Sequence, residues 1–484
     1  MNSSIDNAIL DPRVGWITLA LLSVLWISLG WLWGRNAKDL DEYALAGRRV
    51  GLALGTATSM ATWVTSNTTM AAPQLTLQMG IWGMLGYSLG AVGLLMFAPL
   101  SKRIRELMPN GYTSGDFIRL RYGKTAWRLF LTISLCYGLG WLVSMGMAGG
   151  ILINSLTGIP YYYGMTVILG ICVSYTLLGG LRAVIGTDFI QSLLILLGLV
   201  IIGWLAIDNL GLGRIYTAVA EERPQLLNLL MPAALMFLFN NLMFGIGEVF
   251  HSNVWWSRAF AFQEGVGFKA YFTAGILWIP IPIVAGFLAL AVPALDLNIP
   301  AADMVGPMVA GEILGDAGAV LVLIMVFSAL SSSLDSLLAA TSILVVEDLY
   351  RRHLHPEATD QHLRRATAVT IIGLGILTWL LCIPRLTTLA ALLYFTGAFV
   401  ASTIWPVAAG LYWRRANPTG AMVAMALGSI IGLYSYFAIG FYVSALVGAF
   451  ASMIVVLLST WLWPRDFDWN MLQETHPQKE TTPC

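Results

Sequence analysis

Apolar residues fall in long unbroken runs, and most charges collect in the short polar stretches between them. A bilayer core of about 30 Å needs about 20 apolar residues per helix. On that criterion the pattern predicts thirteen spans, near 14–34, 51–77, 80–101, 126–156, 161–180, 186–209, 229–252, 268–295, 310–346, 364–384, 387–412, 418–436 and 439–463. Two of them carry polar residues in a way that predicts an interrupted helix. The second, GLALGTATSMATWVTSNTTMAAPQLTLQMG, is crowded with Gly, Ser, Thr and Asn, and its Pro73 removes a backbone donor. The seventh, MPAALMFLFNNLMFGIGEVFHSNVWW, holds Asn240, Asn241, Gly245, Gly247 and Glu248.

The two interrupted spans open two sets of five, spans 2 to 6 and spans 7 to 11, so the pattern implies repeats over 51–209 and 229–412. An odd number of spans per repeat makes the halves inverted. Interrupted helices at matching places in inverted halves mark a transporter with its site near the membrane midplane, where freed carbonyls and half-helix ends meet ions and polar solute.

Charge then sets the orientation. With the amino terminus outside and thirteen crossings, all but Arg13, Arg214, Arg223 and Arg385 of the 26 basic residues lie inside, including the cluster Lys102, Arg103, Arg105, Arg119, Arg121, Lys124 and Arg128. The carboxy-terminal residues 464–484 are then a short cytoplasmic tail, and residues 1–484 read as a single polytopic domain of the cell (inner) membrane. Composition agrees: 58% of the residues are hydrophobic and 11% charged, far too apolar for a soluble protein. Acidic and basic residues balance at 26 each, and no basic stripe supports nucleic-acid binding. The four cysteines lack ligand or disulfide spacing. The five histidines, His251, His353, His355, His362 and His476, fall in predicted cytoplasmic segments or at their edge, so no intramembrane metal site argues for an enzyme.

Candidate chemistry concentrates in ALSSSLDSLLAATS, residues 329–342, inside the ninth span. At about 100° per residue, Ala329, Ser332, Ser333 and Ser336 share one narrow face, with Asp335 roughly 60° away from Ser332. Serines also serve close helix packing and bond their own backbone. A carboxylate in mid-span, however, costs about 3 kcal/mol on insertion scales and marks a path or a partner. Hydroxyls beside the carbonyls of an unwound helix suit a hard cation such as sodium. Asp188 stands at the start of the sixth span, where Asp is common in a first helical turn. Glu248 lies deeper, which suits a substrate or gating role.

At these residues the chain resembles the sodium:solute symporter family of sodium/proline, sodium/sugar and sodium/sialic acid cotransporters. The resemblance covers roughly residues 38–415 and rests on DLDEYALAGRRVG, GYTSGDFIRLRYG, YTLLGGLRAVIGTDFIQS and ALSSSLDSLLAATSILVVEDLYRR, in order and at the right spacing. It implies an all-α membrane protein with about 13 transmembrane helices in a LeuT-like inverted five-helix repeat, working by alternating access. It also implies a main sodium site made by the carbonyls of Ala61, Val64 and Ala329 and the hydroxyls of Ser332 and Ser333. A second cation site, present in some members, maps to Asp188, Asp335 and Ser336. Trp63 stands where sodium/proline members often carry an acid, which argues against proline. The stretch around WWSRAFAF and the later WIPIP resemble the urea active transporter branch.

The expectation is therefore a symporter coupling sodium influx to uptake of a small polar, urea-like solute. Thr62, Trp63, Thr65, Asn67, Asn240, Asn241 and Glu248 are the candidate solute contacts, the lipid bilayer is the surrounding partner, and no organic cofactor is expected. Proton coupling, a polyamine-like cation drawn by Glu248, and an amino acid or sugar are the alternatives. A transporter-like membrane sensor is the alternative of a different class, and the short tail argues against it.

Overall fold

The structure, a computed structural model, describes residues 9–35 and 39–473; residues 474–484 of the tail, with His476 and Cys484, lie outside the described residues. Among the described residues the chain is helical, with a lone parallel bridge between Val50 and Phe262. Eleven helical stretches among the described residues are long and apolar enough to cross a membrane. This is a multi-pass membrane protein, and the lipid-facing sides of its helices carry bare Leu, Ile, Val and Trp.

The second predicted span is interrupted as expected, although Pro73 is not the cause. Helix α1 (Leu52–Trp63) ends at Val64, whose ψ of 85° leaves the helical region. A wide π-turn, Asn67–Ala71, follows, and helix α2 (Ala72–Met79) begins with Pro73 in its first turn, where a missing N–H costs little. Threonines satisfy the unwound backbone: Thr65 N donates to Thr68 Oγ1 (3.2 Å), Thr68 N donates to Thr65 Oγ1 (3.2 Å), and Thr68 Oγ1 donates to Trp63 O (3.2 Å). Short hydroxyl side chains compete with helical bonding, which is why this Thr-rich segment can stay open inside a membrane.

Helix α3 (Lys124–Thr157) precedes α4 (Tyr161–Leu210), which merges the predicted spans 161–180 and 186–209. Its 50 residues would reach about 75 Å if straight, more than twice the bilayer core. Gly180, at φ 54° and ψ −146°, turns the chain, and a Cβ there would lie 2.6 Å from the Tyr43 carbonyl oxygen. Only glycine fits.

The seventh span is interrupted too, but not where its polar residues predicted. Helix α5 (Pro232–His251) runs unbroken through Asn240, Asn241, Gly245 and Gly247; the chain leaves helical geometry at Ser252 (ψ 129°) and resumes as α6 (Asn253–Ala261). The asparagines bond outward instead of to their own helix, Asn241 to the carbonyls of Gly86 (2.8 Å) and Tyr87 (3.0 Å), and Asn240 to the amides of Ala445 (2.8 Å) and Leu446 (3.1 Å). Gly245 serves close approach: a Cβ on it would lie 2.6 Å from the Gly90 Cα.

Helix α7 (Val266–Leu295) leads to α8 (Val305–Leu344), which bends at Gly315 and carries the serine face. It packs most extensively on α4 and then on α3. Its carboxy-terminal end is pinned by Asp348, which accepts from Thr113 Oγ1 (2.6 Å) and Trp127 Nε1 (3.0 Å), while Arg352 pairs with Asp116. That anchor fixes the depth and rotation of Ser332, Ser333, Asp335 and Ser336. All four are buried inside the protein.

Candidate ion and solute site

The serine face of α8 meets the unwound end of α1. Ser333 Oγ donates to Thr62 O (3.0 Å) and is 3.1 Å from Ala329 O. Ala61 O accepts from Val64 N at 3.1 Å in a tight terminal turn. Thr68 N, the donor that would pair with Val64 O in a continuous helix, turns to Thr65 O (3.0 Å). Ser332 Oγ donates to Asp188 Oδ1 at 2.5 Å. With their protons engaged, the two serine hydroxyls keep oxygen lone pairs to offer a cation. Ala61 and Val64 lie close to Thr62 in the chain, and Ala329 lies one turn before Ser333 on α8.

Asp188, fully buried on α4, accepts from Thr58 Oγ1 (2.5 Å), from Ser332, and from Arg258 Nη2 (3.3 Å). Arg258 comes from α6 and is itself fully buried. Its Nε donates to Thr58 Oγ1 (3.0 Å), Nη1 to Val254 O (3.1 Å), and Nη2 to Thr62 Oγ1 (2.7 Å) and Ser336 Oγ (2.7 Å). Asp335 sits in reach of this charge pair and beside Cys172 and Tyr175, yet neither of its oxygens receives a hydrogen bond of good geometry; the Tyr175 hydroxyl donates to Ser331 O (3.0 Å). Asp188 and Ser336 are thus brought together around a guanidinium, with Asp335 unpaired next to them.

Trp63 and Thr65, which flank Val64 in the chain, line a small aromatic cavity. Trp63, Trp141, Trp278, Tyr87 and Phe244 wall it, and Thr65, Thr68 and Asn241 are its polar points. Trp63 lies nearly parallel to Trp141 (centroids 6.4 Å apart) and edge-on to Trp255 (5.4 Å), and Trp278 Nε1 donates to Trp63 O (2.7 Å). The indole N–H groups of Trp63 and Trp141 and the amide nitrogen of Asn67 are buried with no partner, so the region keeps spare donors. The cavity admits about 10 Å³ of water-sized space, roughly one molecule. Any larger solute requires the site to open.

The remaining candidate residues are held elsewhere. Thr62 belongs to the Arg258 cluster rather than to the cavity. Asn240 faces the segment around Phe441 and Ala445. Glu248 accepts from the Tyr137 hydroxyl and from Trp255 Nε1 (2.9 Å), with no cation beside it among the described residues, and it does not line the cavity. Arg258, Thr58, Trp141 and Trp278 were not singled out by the sequence. For Arg258 the signal was present, since an arginine flanked as VWWSRAFAF is poorly placed for solvent.

Helices interrupted beside a buried cluster of carbonyls, hydroxyls and carboxylates, next to an aromatic cavity, define a membrane carrier of the broken-helix type. A profile of the sodium:solute symporter family matches residues 43–428. The chain belongs to the sodium:solute symporter family. It is 28% identical over 432 residues to a urea-proton symporter of Oryza sativa subsp. japonica, covering 81% of this chain and 60% of that protein's length. It is 25% identical to an osmoregulated proline transporter of Bacillus subtilis, covering 90% of this chain and 94% of the relative. A urea active transporter of Saccharomyces cerevisiae is 24% identical, with 91% of this chain and 67% of that one aligned. Among solved structures, a Na⁺-coupled sialic acid symporter in a substrate-bound outward-open state shares the fold, with a TM-score of 0.80 at 18% identity over 94% of this chain and 99% of that one. A nucleobase-cation-symport-1 family transporter in a closed conformation superposes less closely, with a TM-score of 0.56 at 15% identity over 90% and 98% of the two chains.

Proposed function

We propose that the protein is a secondary active symporter of the cell (inner) membrane that couples sodium influx to uptake of a small neutral polar solute of urea type. The observation that carries the ion assignment is the seam between α1 and α8, where Ser333 bonds Thr62 O and hydroxyl and carbonyl oxygens converge without a permanent cation of their own. Sodium is held there by the carbonyls of Ala61, Val64 and Ala329 and the hydroxyls of Ser332 and Ser333. Binding ties the unwound helix to α8, and the aromatic cavity lined by Trp63 and Thr65 enlarges to take solute as that same segment shifts. Coupling follows because both ligands stabilise one arrangement of the same unwound segment.

A neutral solute is supported by the cavity's composition. Its lining has no charged side chain, while it offers aromatic faces, two threonine hydroxyls and an amide. Glu248, the residue that would draw a polyamine, is engaged by Tyr137 and Trp255. The names of three relatives, one a urea-proton symporter, one a urea active transporter and one a proline transporter, favour small polar solutes. Thirteen crossings are reached by counting the interrupted 52–79 segment and a second crossing within α4 alongside the eleven long stretches. The amino terminus is then outside and the carboxy terminus cytoplasmic. Residues 51–209 and 229–412 form the two inverted repeats, each opening on an interrupted helix.

Uptake of labelled urea, proline, a polyamine and a hexose into proteoliposomes, under an imposed sodium or proton gradient, tests the assignment. Sodium-driven accumulation of urea alone is the expected result. Accumulation of the polyamine in preference to urea contradicts the neutral-solute reading, and a proton requirement contradicts the sodium reading.

A further inference from the structure

Two of the three residues that the family resemblance pointed to for a second cation, Asp188 and Ser336, are already engaged by a guanidinium. The Arg258 guanidinium lies 2.7 Å from Ser336 Oγ and 3.3 Å from Asp188 Oδ2, and its other donors take Thr58 Oγ1, Thr62 Oγ1 and Val254 O. Asp188 Oδ2 and Ser336 Oγ already face an N–H group, and of the three residues Asp335 alone keeps both oxygens without a hydrogen bond. We propose that Arg258 is a tethered cation that permanently fills the second cation position, so that the site takes up a single mobile sodium ion per cycle. The proposal rests on the sodium reading above.

Charge bookkeeping within the cluster points the same way. Asp188, Asp335 and Arg258 are all fully buried, so their charges interact strongly and are poorly screened. With both carboxylates ionised, the guanidinium offsets one of them and one negative charge is left over. A single monovalent cation at Ser332 and Ser333 neutralises it, while two would leave the cluster positive in a low-dielectric interior, which is costly. Asp188 then has a positioning role: it holds Arg258 on one oxygen and orients the Ser332 hydroxyl with the other.

The experiment is equilibrium binding of radiolabelled sodium, with no solute present, to the full-length protein in nanodiscs, counted as ions per protein. The wild type is expected to bind one. Arg258→Met, which keeps the apolar stem and removes the charge, is expected to bind two, and Arg258→Lys one. Asp188→Asn combined with Arg258→Met removes the ion pair as a unit and is expected to return the count to one. A wild type that binds two overturns the proposal without need of any variant, so poor folding of Arg258→Met does not shield it. A count of one in both wild type and Arg258→Met overturns the Arg258 inference and leaves the sodium reading intact. No saturable sodium binding in the wild type contradicts the sodium reading itself and the proposal with it.

Discussion

Single side chains decide which ion and which solute this carrier can hold. Ser333 joins α8 to the end of α1 through one hydrogen bond to Thr62 O, and its oxygen is a proposed sodium ligand. Ser333→Ala is expected to weaken sodium binding at least tenfold, about 1.4 kcal/mol, with a small change in thermal stability; calorimetric or isotope binding checks it. Trp63 contributes ring contacts with Trp141, Trp255 and Trp278 and one wall of the cavity. Trp63→Ala is expected to lower solute affinity by roughly tenfold or more, since aromatic pairs contribute about 0.5–1.5 kcal/mol each beyond burial, while sodium binding persists. Equal loss of both ligands in that variant would mean that Trp63 supports the fold of the whole segment. Some of these roles were readable from residue pattern. The serine face follows from helical periodicity alone, because the hydroxyls at 332, 333 and 336 coincide on one side. Arg258 was not readable from periodicity: it follows the seventh span directly, where a basic residue satisfies the orientation rule equally well whether it reaches water or turns inward.

Elements bring those side chains together, and they do so through a few backbone devices. The opening of α1 depends on reciprocal bonds between Thr65 and Thr68. Thr65→Val combined with Thr68→Val keeps volume and removes the hydroxyls, so the helix is expected to close over residues 64–68 and sodium-dependent transport to fall by tenfold or more while the protein still inserts. Assembly of α5 against the 81–107 helix depends on the absence of a side chain at Gly245. Gly245→Val is expected to destabilise the protein by at least about 1–3 kcal/mol, the usual cost of overpacking, visible as a lowered melting temperature in detergent. The position of the first interruption was legible, because threonines and an asparagine offer the backbone alternatives to helical bonding. The second falls within the stretch that was read as interrupted, but at Ser252; Asn240, Asn241 and Gly245 bond and pack against neighbouring helices, and a sequence shows the residue without its tertiary partner.

Across the whole molecule, sodium-coupled uptake as proposed requires a fixed orientation and two inverted halves. Exposed positions on predicted opposite sides test the orientation. Glu222→Cys, in the segment after α4, is expected to react with an impermeant thiol reagent added to intact cells, and Lys124→Cys, at the start of α3, only after the membrane is opened; the reverse pattern contradicts it. The division into spans was legible because lipid demands long apolar runs, whereas the bend of α4 at Gly180 was read as a gap between two helices. The central claim is that sodium bound where α8 meets the unwound α1 drives solute uptake. It is tested most directly by labelled urea uptake into proteoliposomes under an inward sodium gradient, with wild type and Ser333→Ala compared. The account predicts transient accumulation above equilibrium in the wild type and its loss in the variant, whereas equal, sodium-independent accumulation in both proteins would contradict it.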